Sequence, residues 1–190
     1  MSMTEVEFDL PAEQFELMGY PNLQQGQSLT LQLQTTVLAP IADGAWYHVQ
    51  GTPVEPQFVH VGRALFAFSG QIAQAQIQKS DDYESAALLV QCAEIPLRVF
   101  CAPDMEGRLP YGTWETRWLT GVSTIVGIVE DDFSVGVGKQ VSVTIWSFRR
   151  LILRPGDAQF GRWHESDELV PTPYEFDRVL ITARVHKPVF

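Results

Sequence analysis

The feature that most limits how this chain can fold is a period of two. Leu29, Leu31 and Leu33 fall on one side of an extended segment while Thr30, Gln32 and Gln34 fall on the other, the alternation of a strand with one buried and one wet face. Comparable runs cover 46–50, 57–61, 64–78, 86–93, 97–101, 117–129, 141–154 and 178–186. Turn-forming groups separate them, among them Gly51-Thr52-Pro53, Ser80-Asp81-Asp82 and Arg154-Pro155-Gly156-Asp157. Many short strands at this spacing predict an all-β fold, a bent-strand barrel or a sandwich. Helix signals gather in one place, with Asp9 as N-cap, Pro11 in the first turn, Ala12 to Met18 as the body and Gly19 as the stop. The expected organisation is an N-terminal arm, residues 1–27, carrying that short helix, followed by a β-rich domain over 28–190.

Two runs lose their parity. Phe66, Phe68 and Ile72 share a face that Gln74 and Gln76 then continue, with Gly70 near the slip. In 141–154, Val141, Val143 and Ile145 are followed on the same nominal face by Ser147 and Arg149, then by Leu151 and Leu153. A bulge or bend near Gly70, and another near Ser147–Arg149, would each restore a continuous apolar face. Strongly bent strands of this kind belong to small closed barrels.

The same stretch suggests an internal duplication of 64–104 and 117–157. Phe68-Ser69-Gly70, Ile77, Asp81-Asp82-Tyr83, Arg98 and Pro103 recur as Leu119-Thr120-Gly121, Ile128, Asp131-Asp132-Phe133, Arg150 and Pro155. The glycine-to-isoleucine and arginine-to-proline offsets are the same in both copies. Each copy reads as a bent strand, an acidic turn closed by an aromatic, and two more strands. That pattern resembles the opening meander of an OB-type barrel.

Charge is unevenly spread. The chain has a net charge of −10, yet residues 1–62 contain no Lys or Arg and carry −7, while 139–163 carry +4. The acidic whole disfavours nonspecific binding to nucleic acid, and the basic segment is where a polyanion or an acidic partner would dock. The candidate binding residues lie there: Trp146, Phe148, Arg149, Arg150, Arg154, Arg162 and Trp163. Arginine beside stackable rings serves single-stranded nucleic acid, through phosphate contacts and base stacking, and the same residue types are enriched at protein-interface hot spots.

Other chemistry is thin. With Glu94-Ile95 as a turn, Cys92 would lie opposite Leu97 and Cys101 opposite Leu88, too far apart for a disulfide, so both read as buried apolar residues. His164-Glu165-Ser166-Asp167-Glu168 reads as a solvated acidic loop rather than a metal site, and the pairs Asp81-Asp82 and Asp131-Asp132 read as turn residues. No nucleophile elbow, phosphate-binding glycine loop or zinc-type H-E-x-x-H occurs. The expectation is a protein without catalytic residues, metal or cofactor. The longest apolar stretches, such as Val122 to Val129, are too short to span a bilayer. The first residues are acidic where a secretory leader is basic, which points to the cytoplasm or a particle assembled there. Two functions fit. One is a structural or assembly module that docks to itself or to partner proteins in a larger complex, such as a phage or virus-like particle. The alternative is an OB-like single-stranded nucleic-acid-binding protein using the arginine–aromatic surface.

Overall fold

The computed structural model describes residues 4–38, 46–109, 117–129, 136–170 and 177–186. Its elements in chain order are β1 (Thr4–Asp9), α1 (Ala12–Leu17), β2 (Leu23–Gln24), β3 (Ser28–Leu38), β4 (Trp46–Gln50), β5 (Gln57–Gly62), β6 (Leu65–Lys79) and β7 (Glu84–Cys92). They continue with β8 (Ile95–Ala102), β9 (Trp118–Thr124), β10 (Val126–Ile128), β11 (Val141–Leu151), β12 (Trp163–Ser166), β13 (Glu168–Leu169) and β14 (Arg178–Val185). The all-β reading with one short helix therefore holds.

Five strands close a barrel. β1 pairs with β14, β14 with β11, β11 with β3 and β3 with β10, all antiparallel, and β10 returns to β1 as a parallel neighbour. Read from β11, the ring runs β11-β14-β1-β10-β3. This is the strand order of an OB barrel, with its single parallel pair and with the helix between the third and fourth strands. Here the chain enters at the third of those strands, so the order is circularly permuted. Accordingly the first and last barrel strands are neighbours, with Thr4 opposite Val185.

The whole of β4 to β9 is inserted between the barrel strands β3 and β10. β3 serves both halves. Its residues 28–31 pair with β11, and further on Gln34 to Leu38 run parallel to β8, from which the sheet continues β8-β7-β6-β9-β4, with β5 also on β6. One hydrophobic core joins the halves, with Val6, Phe8, Val143 and Ile181 on the barrel side and Phe66, Phe68, Leu88 and Leu97 on the insertion side.

Several expectations change. The arm over 1–27 does not exist as a separate unit, because β1 is a barrel strand whose Val6 and Phe8 are fully buried. The helix starts without a side-chain cap; Asp9 remains in β1, and extended Pro11 takes the N-cap position. The segment 64–104 does form the antiparallel meander β6-β7-β8. Segment 117–157 does not. β9 pairs with β6 and β4, while β10 and β11 lie on either side of β3. The two segments are therefore not structural copies. Their matching tripeptides instead face each other, Phe68 opposite Gly121 and Gly70 opposite Leu119. A Cβ on Gly70 would come within 2.1 Å of the Gln91 carbonyl oxygen, and one on Gly121 within 2.8 Å of the Trp46 carbonyl oxygen, so close backbone approach explains both glycines. The parity slips are real, but they are displaced. The register shifts between Ile72 and Gln74 and between Ile145 and Ser147. The β7–β8 turn falls at Ala93-Glu94, placing Cys92 opposite Ile95 and Cys101 opposite Ala86. The cysteines are nonetheless free, buried and well separated.

Candidate functional site on the outer face of the barrel

Strand alternation decides which side chains leave the core. On β14, Val179, Ile181, Ala183 and Val185 point inward, so Arg178, Leu180, Thr182 and Arg184 point outward. On β1 the outward set is Glu5, Glu7 and Asp9. On β11 the bulge inserts Trp146, after which Ser147, Arg149 and Leu151 face out and Phe148 faces in. Register aligns these into rows: Thr144, Arg184 and Glu5; Ser147, Thr182 and Glu7; Arg149, Leu180 and Asp9. β12 extends the face, with Trp163 opposite Leu151 and Glu165 opposite Arg149.

The seven candidate residues are divided among several environments. Phe148 belongs to the core. Arg149 is paired with Glu7, a buried carboxylate that also accepts the Ala64 backbone N–H at 2.7 Å and has His60 Nε2 at 3.4 Å. Arg150 donates from Nε and Nη2 to Asp177 at 2.8 and 2.6 Å, and Arg154 approaches the same carboxylate at 3.6 Å. Asp177 also accepts the Leu153 N–H at 3.0 Å, a buried anchor for the chain leaving β11. Trp163 lies under the guanidinium of Arg63 at 4.7 Å, with Arg149 at 6.0 Å. Trp146 stands apart, 45% exposed, with Arg184 stacked on its ring at 4.0 Å. Arg162 is exposed at the tip of the β11–β12 hairpin, near Phe160, which is 58% exposed.

Geometry thus sorts the arginines by their partners. Arg149, Arg150 and Arg154 are ion-paired within the chain, the last two on the one Asp177 carboxylate, and Arg178 makes a two-pronged bond to Asp9 that raises its pKa above the ordinary value. Among the described residues, Arg63, Arg162 and Arg184 have no ion-pair partner. Arg63, Arg184 and Glu7 were not singled out from the sequence. They become informative only through tertiary contact, since Arg63 meets Trp163 a hundred residues away and Glu7 meets Arg149 across the barrel.

The β5–β6 turn lies across part of this face. The contacts of Ala64 and His60 with Glu7 and of Arg63 with Trp163 tie it down, and the outward Leu180 is only 1% exposed. Two cavities flank the covered strip. One, of about 380 Å³, is lined by Arg150, Ile152, Asp157, Gln159, His164, Ser166, Glu168, Leu169 and Val170. The other, of about 430 Å³, is lined by Gln25, Gly26, Thr144, Ile145, Trp146 and Arg184.

The segment 164–168, expected as a loop, contributes the edge strand β12 and the start of β13. Asp81-Asp82 occupy the β6–β7 turn, closed by the Ser80 N–H to the Tyr83 carbonyl at 2.8 Å. Asp131-Asp132 lie outside the described residues. Among the described residues no group of three or more His, Cys, Asp or Glu is placed to hold a metal, and no helix is long and apolar enough to cross a membrane. No protein-family model matches the chain, and comparisons with curated proteins and with solved structures return no significant match.

Proposed function

We propose that this protein is a non-enzymatic structural or assembly module that docks to copies of itself or to partner proteins in a larger complex, in the cytoplasm or in a particle assembled there. One observation carries the reading. The arginines inside the face are ion-paired in the chain, while exposed Trp146 has on its ring Arg184, an arginine without a carboxylate, and exposed Phe160 lies two residues from Arg162, which has none either. Exposed aromatic–arginine pairs, set among neutral or compensated surface, are the composition of interface hot spots. The charge contrast between 1–62 and 139–163 is partly consumed inside the molecule by Glu7–Arg149. Docking should therefore rest on aromatic burial as well as on charge, and tolerate salt better than a purely electrostatic contact would. Light scattering across concentration and ionic strength tests this. Multimers that persist in moderate salt and dissociate on Trp146→Ala or Phe160→Ala are expected. A monomer throughout would sink self-docking.

The second reading, an OB-like single-stranded nucleic-acid binder, is favoured by the barrel's strand order and by the Arg63–Trp163 stack on its outer face. Against it, Arg149 and Arg178 on that face are already bound to Glu7 and Asp9 and so are engaged before any phosphate arrives, and Glu5 adds an exposed negative charge. An oligonucleotide titration at low salt decides the matter: no binding removes this reading.

A further inference from the structure

The cavity beside Trp146 has an occupant within the same chain's chemistry. The β11 bulge turns Trp146 outward, and the Arg184 guanidinium lies over its ring at 4.0 Å. Stacking covers one face of a guanidinium but leaves its N–H edge available to an oxyanion. Glu5 is directly opposite Arg184 across the strands, yet it forms no ion pair with it. The cavity thus offers one unpaired cation beside one exposed indole.

Helix α1 offers the complement. Glu13 and Glu16 are exposed, and the last turn contains no basic residue. A carboxylate in the last turn opposes the helix dipole, and an acidic pair at this spacing repels. Glu13 is in the first turn, where the dipole favours it, so the carboxylate left without local support is Glu16. Next to them Leu17 is 58% exposed, and Tyr20 is 45% exposed with φ at 51°, held by an edge contact to Phe15 at 5.7 Å. That backbone conformation closes the helix, with the Tyr20 N–H on the Phe15 carbonyl at 3.1 Å and the Gly19 N–H on that of Glu16 at 2.8 Å, and it fixes the ring in an outward position. Glu16, Leu17 and Tyr20 thus form one exposed acidic and apolar patch, the chemical complement of the cation and indole at the cavity.

Tyr20 precedes Gln25, a cavity-lining residue, by only five positions. Tyr20 and Gln25 therefore lie within about 18 Å of each other. Two patches so close on one molecule can satisfy each other reciprocally about a two-fold axis. Building on the assembly reading, we propose that two copies of the chain form an isologous dimer. In it Leu17 and Tyr20 of each copy seat against Trp146 of the other, and Glu16 pairs with Arg184 across the axis.

A charge-exchange experiment tests this. Arg184→Glu and Glu16→Arg are each made in the full chain, with far-ultraviolet circular dichroism checking that both remain folded. Each variant alone would place like charges at both reciprocal contacts, so dimerisation measured by sedimentation should weaken at least tenfold. Mixed in equal amounts, the two variants should recover a dimer, because one contact is then native and the other is the same pair reversed. A wild-type dimer indifferent to both substitutions would overturn this contact while leaving self-docking elsewhere intact. A wild-type protein that stays monomeric to high concentration would overturn the contact and self-docking together.

Discussion

A thiol in this core has almost no thiolate character. Burial pushes Cys92 and Cys101 from an ordinary 9.0 up to about 12. Because the folded values are raised, the associated stability is complete below the unfolded value and is lost as pH rises from about 9 towards about 12. The native protein should therefore react with a thiol-specific reagent at pH 8 only at the rate of its opening. Addition of denaturant should expose two thiols at once; fast labelling of native protein would contradict their burial. Residue identity made this state legible in advance, since an isolated cysteine in an alternating apolar strand has few other roles. The turn position was less legible. Ala93 adopts φ at 51°, a left-handed conformation that a sequence marks with Gly or Asn and seldom with Ala.

Among the elements, alternation revealed the strands that have one dry and one wet face. β1 has the same alternation, with Val6, Phe8 and Leu10 against Glu5, Glu7 and Asp9, but its acids read as a solvated arm because the partners of Glu7, namely Arg149, His60 and the Ala64 N–H, come from elsewhere in the chain. β12 was hidden for a different reason, since His164, Glu165 and Ser166 are all exposed and the strand has no alternating apolar face. The candidate site had a similar fate. Nearness along β11 suggested one surface, but the strand's alternation sends Phe148 and Arg149 to opposite faces, and the bulge sets Trp146 apart. The status of β1 is open to direct test. Phe8 is fully buried, and its ring packs against Gly127 of β10, where an added Cβ would stand 2.6 Å away. Phe8→Ala should cost about 3–5 kcal/mol in denaturant unfolding, and deletion of residues 1–10 should abolish the cooperative transition. A truncated chain that still unfolded cooperatively with native-like stability would return β1 to the status of an arm.

At the scale of the molecule, the barrel makes the chain's order a matter of where the ring is cut. β1 and β14 lie side by side with Thr4 opposite Val185, the arrangement of two strands that a hairpin could join. Among the described residues, the connection between β10 and β11 carries no barrel strand of its own. A permuted chain can therefore begin at Lys139, run through β14, cross a short Gly/Ser linker to Thr4, and finish at Gly138. Its barrel strands then follow the order of an OB barrel, with α1 between the third and fourth, while β4 to β9 remain an insertion before the fifth. Joining neighbouring ends adds little closure entropy. The new ends are not without cost, because the Lys139 N–H is bonded to the Gln32 side chain and Gly138 packs close to it. The permutant should fold to the same circular dichroism spectrum and unfold in one transition, at a stability lowered by about 1–3 kcal/mol for that disturbed hydrogen bond. A collapsed product that binds hydrophobic dye and lacks near-ultraviolet dichroism would mean that the β10–β11 connection is structurally required. The ring would then depend on that covalent link as well as on its strand pairings.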